Sequence, residues 1–374
     1  MNLAVILNKE LDQKRGVLRL KPTFVARDYP GLGRLGLKKF SAGKRGWLVE
    51  RWMASSVVAK GLNQIENEGL SELDIKGVKL FLKDALALSP ERMLGKSYAK
   101  SHNNRFGVLT KILDIGKPIP WHVHAREEHA RKYWNMNPKE EAYYFLDHPK
   151  RGPLPYSHLG MHPDTIKADL LPILKRWNDD KVLDLSPAYR LNVGEGFLIL
   201  AGVIHAPGTA LTLEAQEESD VGSLFQPMVN NKIMSKEQTL LNGPKTEEEA
   251  IELIDWNACT DPKFYRKYHI IPEIISEDNT SKEYWVYSPK MCKKFAGKEI
   301  RLAAKKKIKE SEKGPFLLLA WKGQGTVNGV KVVGGNPKTD ELFVSCEAAA
   351  EHEIVNEGKE ELILYKIFGP DVYT

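Results

Sequence analysis

Cysteine is scarce in this chain. Its three thiols, Cys259, Cys292 and Cys346, are odd in number and far apart, which excludes a disulfide framework and a cysteine-based zinc motif and fits a reducing compartment. Long apolar runs are also missing. The longest, Phe197 to Ile204, falls far short of the roughly 20 residues that a membrane-spanning helix needs. The N-terminal apolar stretch, Leu3 to Leu7, meets Asn8, Lys9 and Glu10 too soon to read as a secretory signal, so a cytoplasmic protein is expected. With 29 glycines and 21 prolines there is no excess of either, which excludes collagen-like and low-complexity architectures. Charge of one sign barely dominates. Fifty-five Lys and Arg against 49 Asp and Glu leave +6, compatible with an anionic small substrate and too weak to indicate nucleic acid. Even the densest basic run, Arg301 to Lys313, is interrupted by Glu310 and Glu312 and reads as a solvated face.

What is present is material for a core: 42% of residues are hydrophobic and 28% charged, over 374 residues. At about 150 residues per domain, that length suits two domains. Helical spacing is confined to a few segments. Ile166, Leu170, Leu171, Leu174 and Trp177 recur at helix period, with Pro172 expected to break or kink the run. Thr246 and Glu249 form a T-x-x-E capping box that predicts a helix to Trp256, and a third helix is expected over Val78 to Leu88. Elsewhere short apolar segments alternate with Gly, Pro, Asn and Asp, the pattern of strands. Phe106 to Asp114 and Ile119 to His124 read as one hairpin, and Phe316 to Trp321, Thr326 to Val333 and Glu341 to Val344 as a meander. The expected fold is mainly β with inserted helices, built as two jelly-roll β-barrel domains. The first domain is placed at 1–257 with a helical insert about 160–180, a linker at 258–282, and a second domain at 283–374.

Three separated segments point to a metal site. In His122-Val123-His124 the imidazoles are two residues apart, so on a strand they face the same side and converge on one ion. Glu141 opens a strand-like segment, Glu141-Ala142-Tyr143-Tyr144-Phe145. His205 ends the run from Gly194 through Gly202, and this order resembles the second motif of the cupins, with Leu200 where a proline is usual. Imidazole nitrogens with one carboxylate suit Zn, Fe, Mn, Co or Ni. His102, His129, His148, His158, His162, His269 and His352 have no partner at ligand spacing and read as surface or hydrogen-bonded residues.

Taken together, these segments resemble the class I mannose-6-phosphate isomerases, the short bacterial type in particular. The likeness rests on Leu109-Thr110-Lys111-Ile112-Leu113-Asp114, then His122-Val123-His124-Ala125 where the family has Gln-Val-His-Pro, then Lys139-Glu140-Glu141-Ala142-Tyr143-Tyr144. It continues through Ala201-Gly202-Val203-Ile204-His205-Ala206 and Leu213-Glu214-Ala215-Gln216-Glu217-Glu218-Ser219-Asp220. The resemblance implies a bicupin fold whose C-terminal domain is degenerate and structural. It implies His122, His124, Glu141 and His205 as ligands of one divalent ion, zinc first, and Lys111, Lys139 and Glu214 as catalytic residues. Two positions depart from the family: Leu224 stands where it has Arg, and Pro120 where it has the Ser associated with substrate phosphate.

The implied activity is an aldose–ketose isomerisation of mannose 6-phosphate and fructose 6-phosphate, or of a related sugar given the two departures. A bound divalent ion supplies Lewis acidity in such a reaction. Glu214 is then the candidate for moving the proton, and Lys139 for stabilising negative charge on oxygen. Lys111 lies between apolar neighbours, where an inward ammonium needs an anion nearby. Two other readings compete: a cupin oxygenase or oxidase, and a non-catalytic sugar-binding cupin. The expected partner is a small-molecule sugar or sugar phosphate, with no nucleic acid and no membrane, in a monomer or homodimer.

Overall fold

A computed structural model describes residues 2–60, 65–229 and 231–373. Two compact units emerge. The first gathers 1–27, 35–112 and 271–374, and the second 28–34 and 113–270. The change of unit at 270 falls inside the expected linker, but the N-terminal third does not group as a contiguous 1–257 domain requires. The reason is long-range strand pairing. Val17–Arg19 pairs antiparallel with Glu341–Val344, and the buried Arg51 guanidinium holds Asp340 at 2.6 Å and Glu341 at 3.0 Å. The linker segment itself carries the helix Phe264–Tyr268 and the strand Glu273–Glu277.

In the first unit a seven-stranded sheet runs in the order Val17–Arg19, Glu341–Val344, Phe316–Lys322, Leu362–Phe368, Ala296–Leu302, Ser281–Tyr287, Glu273–Glu277. A second sheet orders Lys307–Glu310, His352–Asn356, Gln324–Val327 and Val330–Val333. Val17, Phe316, Leu318, Val332, Ile354 and Leu364 share one core. The segment 326–333, expected as one strand, is a hairpin. Asn328 and Gly329 take φ of 47° and 82°, the pair of left-handed residues that a tight type I′ turn demands. The helix expected over 78–88 is shorter, Leu82–Leu88, and is followed by Pro90–Leu94 and Lys96–Ser101. A helix over Leu3–Gln13, unforeseen from the sequence, is capped by Asn2 and buries Leu7 and Leu11.

In the second unit two sheets carry the chemistry. One includes His269–Ile270, Gly196–Ile199, Glu141–Phe145 and Thr212–Glu217 as successive neighbours. The other orders Ser223–Leu224, His122–Val123, His205–Ala206, Tyr156–Leu159 and Ala188–Arg190. Phe145, Phe197, Leu159, Ile204 and Phe225 pack in the core with Leu170 and Leu174. Those two leucines belong to the helix Lys167–Arg176, which continues through Pro172 rather than breaking there. Burial on both sides of the proline outweighs its missing backbone bond. The helix predicted from Thr246 to Trp256 is two helices, Glu247–Ile251 and Trp256–Cys259, because Asp255 caps a new start on the Ala258 N–H at 3.0 Å. Among the described residues no helix is long and apolar enough to cross a membrane.

Candidate metal centre

Antiparallel register decides which side chains meet. His205 lies directly opposite His122, so both imidazoles project from the same face. His124 lies two residues beyond His122 and turns to that face as well. The ring centroids are 4.1 Å apart for His122 and His205, 4.9 Å for His122 and His124, and 5.2 Å for His124 and His205. One nitrogen from each ring lies within 4.8 Å of the others, and all three residues are buried. Among the described residues no other group of His, Cys, Asp and Glu gathers in this way.

The outer nitrogens fix the tautomers. Nδ1 of His122 meets the carbonyl of Pro120 at 2.7 Å, that of His124 the carbonyl of Val221 at 2.8 Å, and that of His205 the carbonyl of Val203 at 2.9 Å. A carbonyl only accepts, so each Nδ1 carries a proton, and Nε2 is the ring nitrogen that each imidazole has left to offer a metal. The buried Nε2 of His205 has no hydrogen-bond partner, yet it stands 3.0 Å from Glu141 Oε1. Two acceptors at that distance need a cation or a proton between them. The donor set of three imidazoles and an adjacent carboxylate fits one divalent metal ion.

The facing sheet supplies the charged groups. Gln216 lies opposite Glu141 and Glu214 opposite Tyr143, so these four share one face. Lys139 Nζ lies 2.7 Å from Glu141 Oε2, 3.0 Å from His124 Nε2 and 3.8 Å from Glu214 Oε1. The Tyr143 hydroxyl donates to Glu141 Oε1, and His124 Nε2 is 3.3 Å from Glu141 Oε2. Burial and the neighbouring His205 and His124 hold His122 well below the ordinary histidine value. Burial and Lys139 bring His124 down to about 4. Burial alone would raise the Glu141 carboxyl and lower the Lys139 ammonium, but their mutual attraction reverses both, keeping one ionised and the other charged. Tyr143 is pushed well above its usual range by burial and by Glu141 and Glu214. The lowered His122 and His124 and the anionic Glu141 are in the protonation states that a metal ligand requires.

Of the residues singled out in the sequence, the structure thus groups His122, His124, His205, Glu141, Lys139 and Glu214. Lys111 belongs to the first compact unit. There it is buried on the strand Val108–Leu113 with its ammonium 4.9 Å from the centre of the Trp52 ring. Tyr143, which had no assigned role beyond its strand, holds Glu141 through its hydroxyl. Its position two residues along the same strand was the signal.

Comparison with known proteins bears on the fold. No family profile matches the chain. The mannose-6-phosphate isomerase ManA of Bacillus subtilis (strain 168) is 30% identical over 125 residues, 33% of this chain and only 38% of that relative's length. The solved mannose 6-phosphate isomerase of Bacillus subtilis superposes with a TM-score of 0.67 at 16% identity, over 94% of this chain and 99% of that one. The chain has the mannose-6-phosphate isomerase fold. A variant of the phosphomannose isomerase from Salmonella typhimurium matches at a TM-score of 0.65 and 13% identity, covering 95% of this chain and 100% of the other. A zinc-bound mannose 6-phosphate isomerase gives the same three values and the same full coverage of its own chain: 0.65, 13%, 95% and 100%. The resemblance read from the motifs, and the mainly β fold with inserted helices, are borne out. Within the mannose-6-phosphate isomerase fold the two departures take on a geometric meaning. Leu224 lies opposite His122 in register, so an apolar side chain projects from the face that carries the imidazoles. Pro120 instead serves through its carbonyl, which orients His122.

Proposed function

We propose that the protein is a metal-dependent aldose–ketose isomerase interconverting mannose 6-phosphate and fructose 6-phosphate or a closely related sugar pair. The observation that carries this reading is the buried three-imidazole group beside the linked carboxylates and ammonium of Glu141, Lys139 and Glu214. A divalent ion there, zinc first by analogy with the zinc-bound relative, supplies Lewis acidity to the sugar's carbonyl and neighbouring hydroxyl. The ligands proposed for it are His122, His124, His205 and Glu141. Isomerisation moves one proton between adjacent carbons, so a group that takes and returns it must stand beside the ion. Glu214 is proposed for that role, being buried on the inward face and close to Lys139. Lys139 keeps its charge and offers hydrogen-bond donors to oxygens that become negative. Lys111 is proposed as a further active-site lysine on the strength of the motif it shares with the family.

Leu224 favours a sugar less dependent on a guanidinium contact than mannose 6-phosphate. Its place beside His122 makes Leu224→Arg the informative probe of substrate choice. That none of the three cysteines is in a disulfide favours a reducing compartment such as the cytoplasm.

The test is metal analysis of the purified chain together with a panel of phosphorylated and free aldoses. Ketose formation without oxygen uptake is the expected result. Oxygen consumption would select the oxygenase reading, and sugar binding without turnover would select the non-catalytic one.

A further inference from the structure

A second concave site lies in the same compact unit. It is a pocket of about 290 Å³ whose charged lining is entirely cationic, Arg34, Lys150, Arg151 and Arg190, with the His148 ring beside them. Leu146 and Leu211 belong to its wall. Leu146 follows the last residue of the strand that Glu141 begins, and Leu211 precedes the first residue of the strand that carries Glu214. Five residues of strand separate Leu146 from Glu141, about 17 Å at roughly 3.3 Å per residue. The pocket therefore sits at the other end of these strands from the imidazoles.

We propose that this pocket is a binding site for a small phosphate-bearing ligand. Its cations are unevenly committed. Arg34 is spent on the fold: its Nε donates to Asp114 at 2.6 Å and its terminal nitrogens donate to the carbonyls of Thr209 at 3.0 Å and Ile115 at 3.3 Å. The side chains of Lys150, Arg151 and Arg190 pair with no carboxylate among the described residues, and no carboxylate lines the pocket. His148 accepts the Lys150 N–H on Nδ1 at 3.0 Å, which puts the proton of the neutral ring on Nε2. Like charges gathered without a counter-charge repel one another, and a multivalent oxyanion relieves that repulsion while taking several donors at once.

The wall is also held in place before any ligand arrives. The loop from His148 to Pro155 contains Pro149, Pro153 and Pro155, which limit its freedom. Leu154 N–H donates to Thr209 Oγ1 at 2.9 Å, and Thr209 N–H returns a bond to the Leu154 carbonyl at 2.9 Å. A methyl group on Gly152 would meet the Thr209 carbonyl at 2.1 Å, so the loop backbone is seated as closely as a glycine allows. A preformed anion site loses less entropy on binding than a mobile basic loop does.

The proposal is independent of the isomerase reading, and its test separates the two sites. Pyrophosphate is titrated calorimetrically into the full chain, into His124→Ala, and into the double variant Arg151→Ala/Arg190→Ala, against sodium chloride of matched ionic strength. Saturable binding is expected in the native chain and in His124→Ala. It should weaken about tenfold or more in the double variant, with Lys150→Gln reproducing part of that loss and isomerase turnover unchanged. Binding that disappears in His124→Ala would place the anion at the metal centre and overturn the proposal. So would affinity indifferent to the arginines, or a response that chloride reproduces.

Discussion

At the scale of single residues, the carboxylate of Glu141 is held on both oxygens before any metal is considered. Lys139 approaches one oxygen at 2.7 Å, Tyr143 donates to the other, and His124 and His205 flank it. Groups that orient a ligand without touching the ion tune its affinity by about 10- to 100-fold. Tyr143→Phe should therefore retain the fold and bind the metal about tenfold more weakly, as read by competition with a coloured chelator. His124→Ala removes a proposed ligand outright, and elemental analysis should find its metal gone while His352→Gln keeps a full complement. Glu214→Gln keeps the shape and removes the proposed base. Metal content should then hold while turnover falls by about 10²- to 10⁴-fold. The imidazole pair and His205 were legible because two-residue spacing and a glycine-bounded strand are local signals. The tyrosine's task and the three carbonyls behind the imidazoles were not, since both follow from strand register and from a backbone path that no spacing records.

At the scale of elements, local chemistry predicted where helices start better than where they stop. Thr246 does cap its helix, its hydroxyl accepting the Glu249 N–H at 3.2 Å, and Thr246→Ala should cost about 1 kcal/mol in urea unfolding. The same helix ends early because Asp255 begins another, a competition between two good caps that periodicity does not resolve. Pro172 shows the opposite case: propensity argues for a break, and the buried Leu170 and Leu174 on either side override it. Gly329 carries its own prediction. At φ of 82° a side chain is strained, so Gly329→Ala should destabilise the first unit by about 1 kcal/mol even though an added methyl meets nothing within 4 Å. A null effect would mean that the turn relaxes into another type. The composition of the two units was the least legible feature. Val17–Arg19 finds its partner at Glu341–Val344, and nothing in either tripeptide marks the other.

At the scale of the whole molecule, the C-terminal strands bury a charged cluster that sets a pH dependence. Lys366 is fully buried, with Nζ 2.6 Å from Glu310, 2.8 Å from Glu312 and 3.1 Å from His352 Nε2. Lys298 completes the group at 2.9 Å from Glu312 and 3.1 Å from Glu283. Burial and the adjacent Lys366 lower His352 from 6.5 to about 3, so the folded chain keeps the ring neutral where the unfolded chain would protonate it. Between those values the unfolded state binds more protons, and stability must fall as the pH falls from 6.5 towards 3. Glu312 acts in the same direction lower down. Burial would raise its carboxyl, but Lys366 and Lys298 bring it from 4.5 to about 2, so its contribution is present above 4.5 and disappears as the pH drops through that interval. Urea unfolding followed from pH 8 to pH 4 should show stability declining below about 6.5, a decline that His122 and His124 share, and His352→Gln should lessen its slope without altering the lower limb set by Glu312. A His352→Gln profile with the same slope as the native one between pH 6.5 and 5 would mean that the ring is protonated in the folded chain and shared between Glu310 and Glu312. The charge pattern of the cluster would then have to be redrawn.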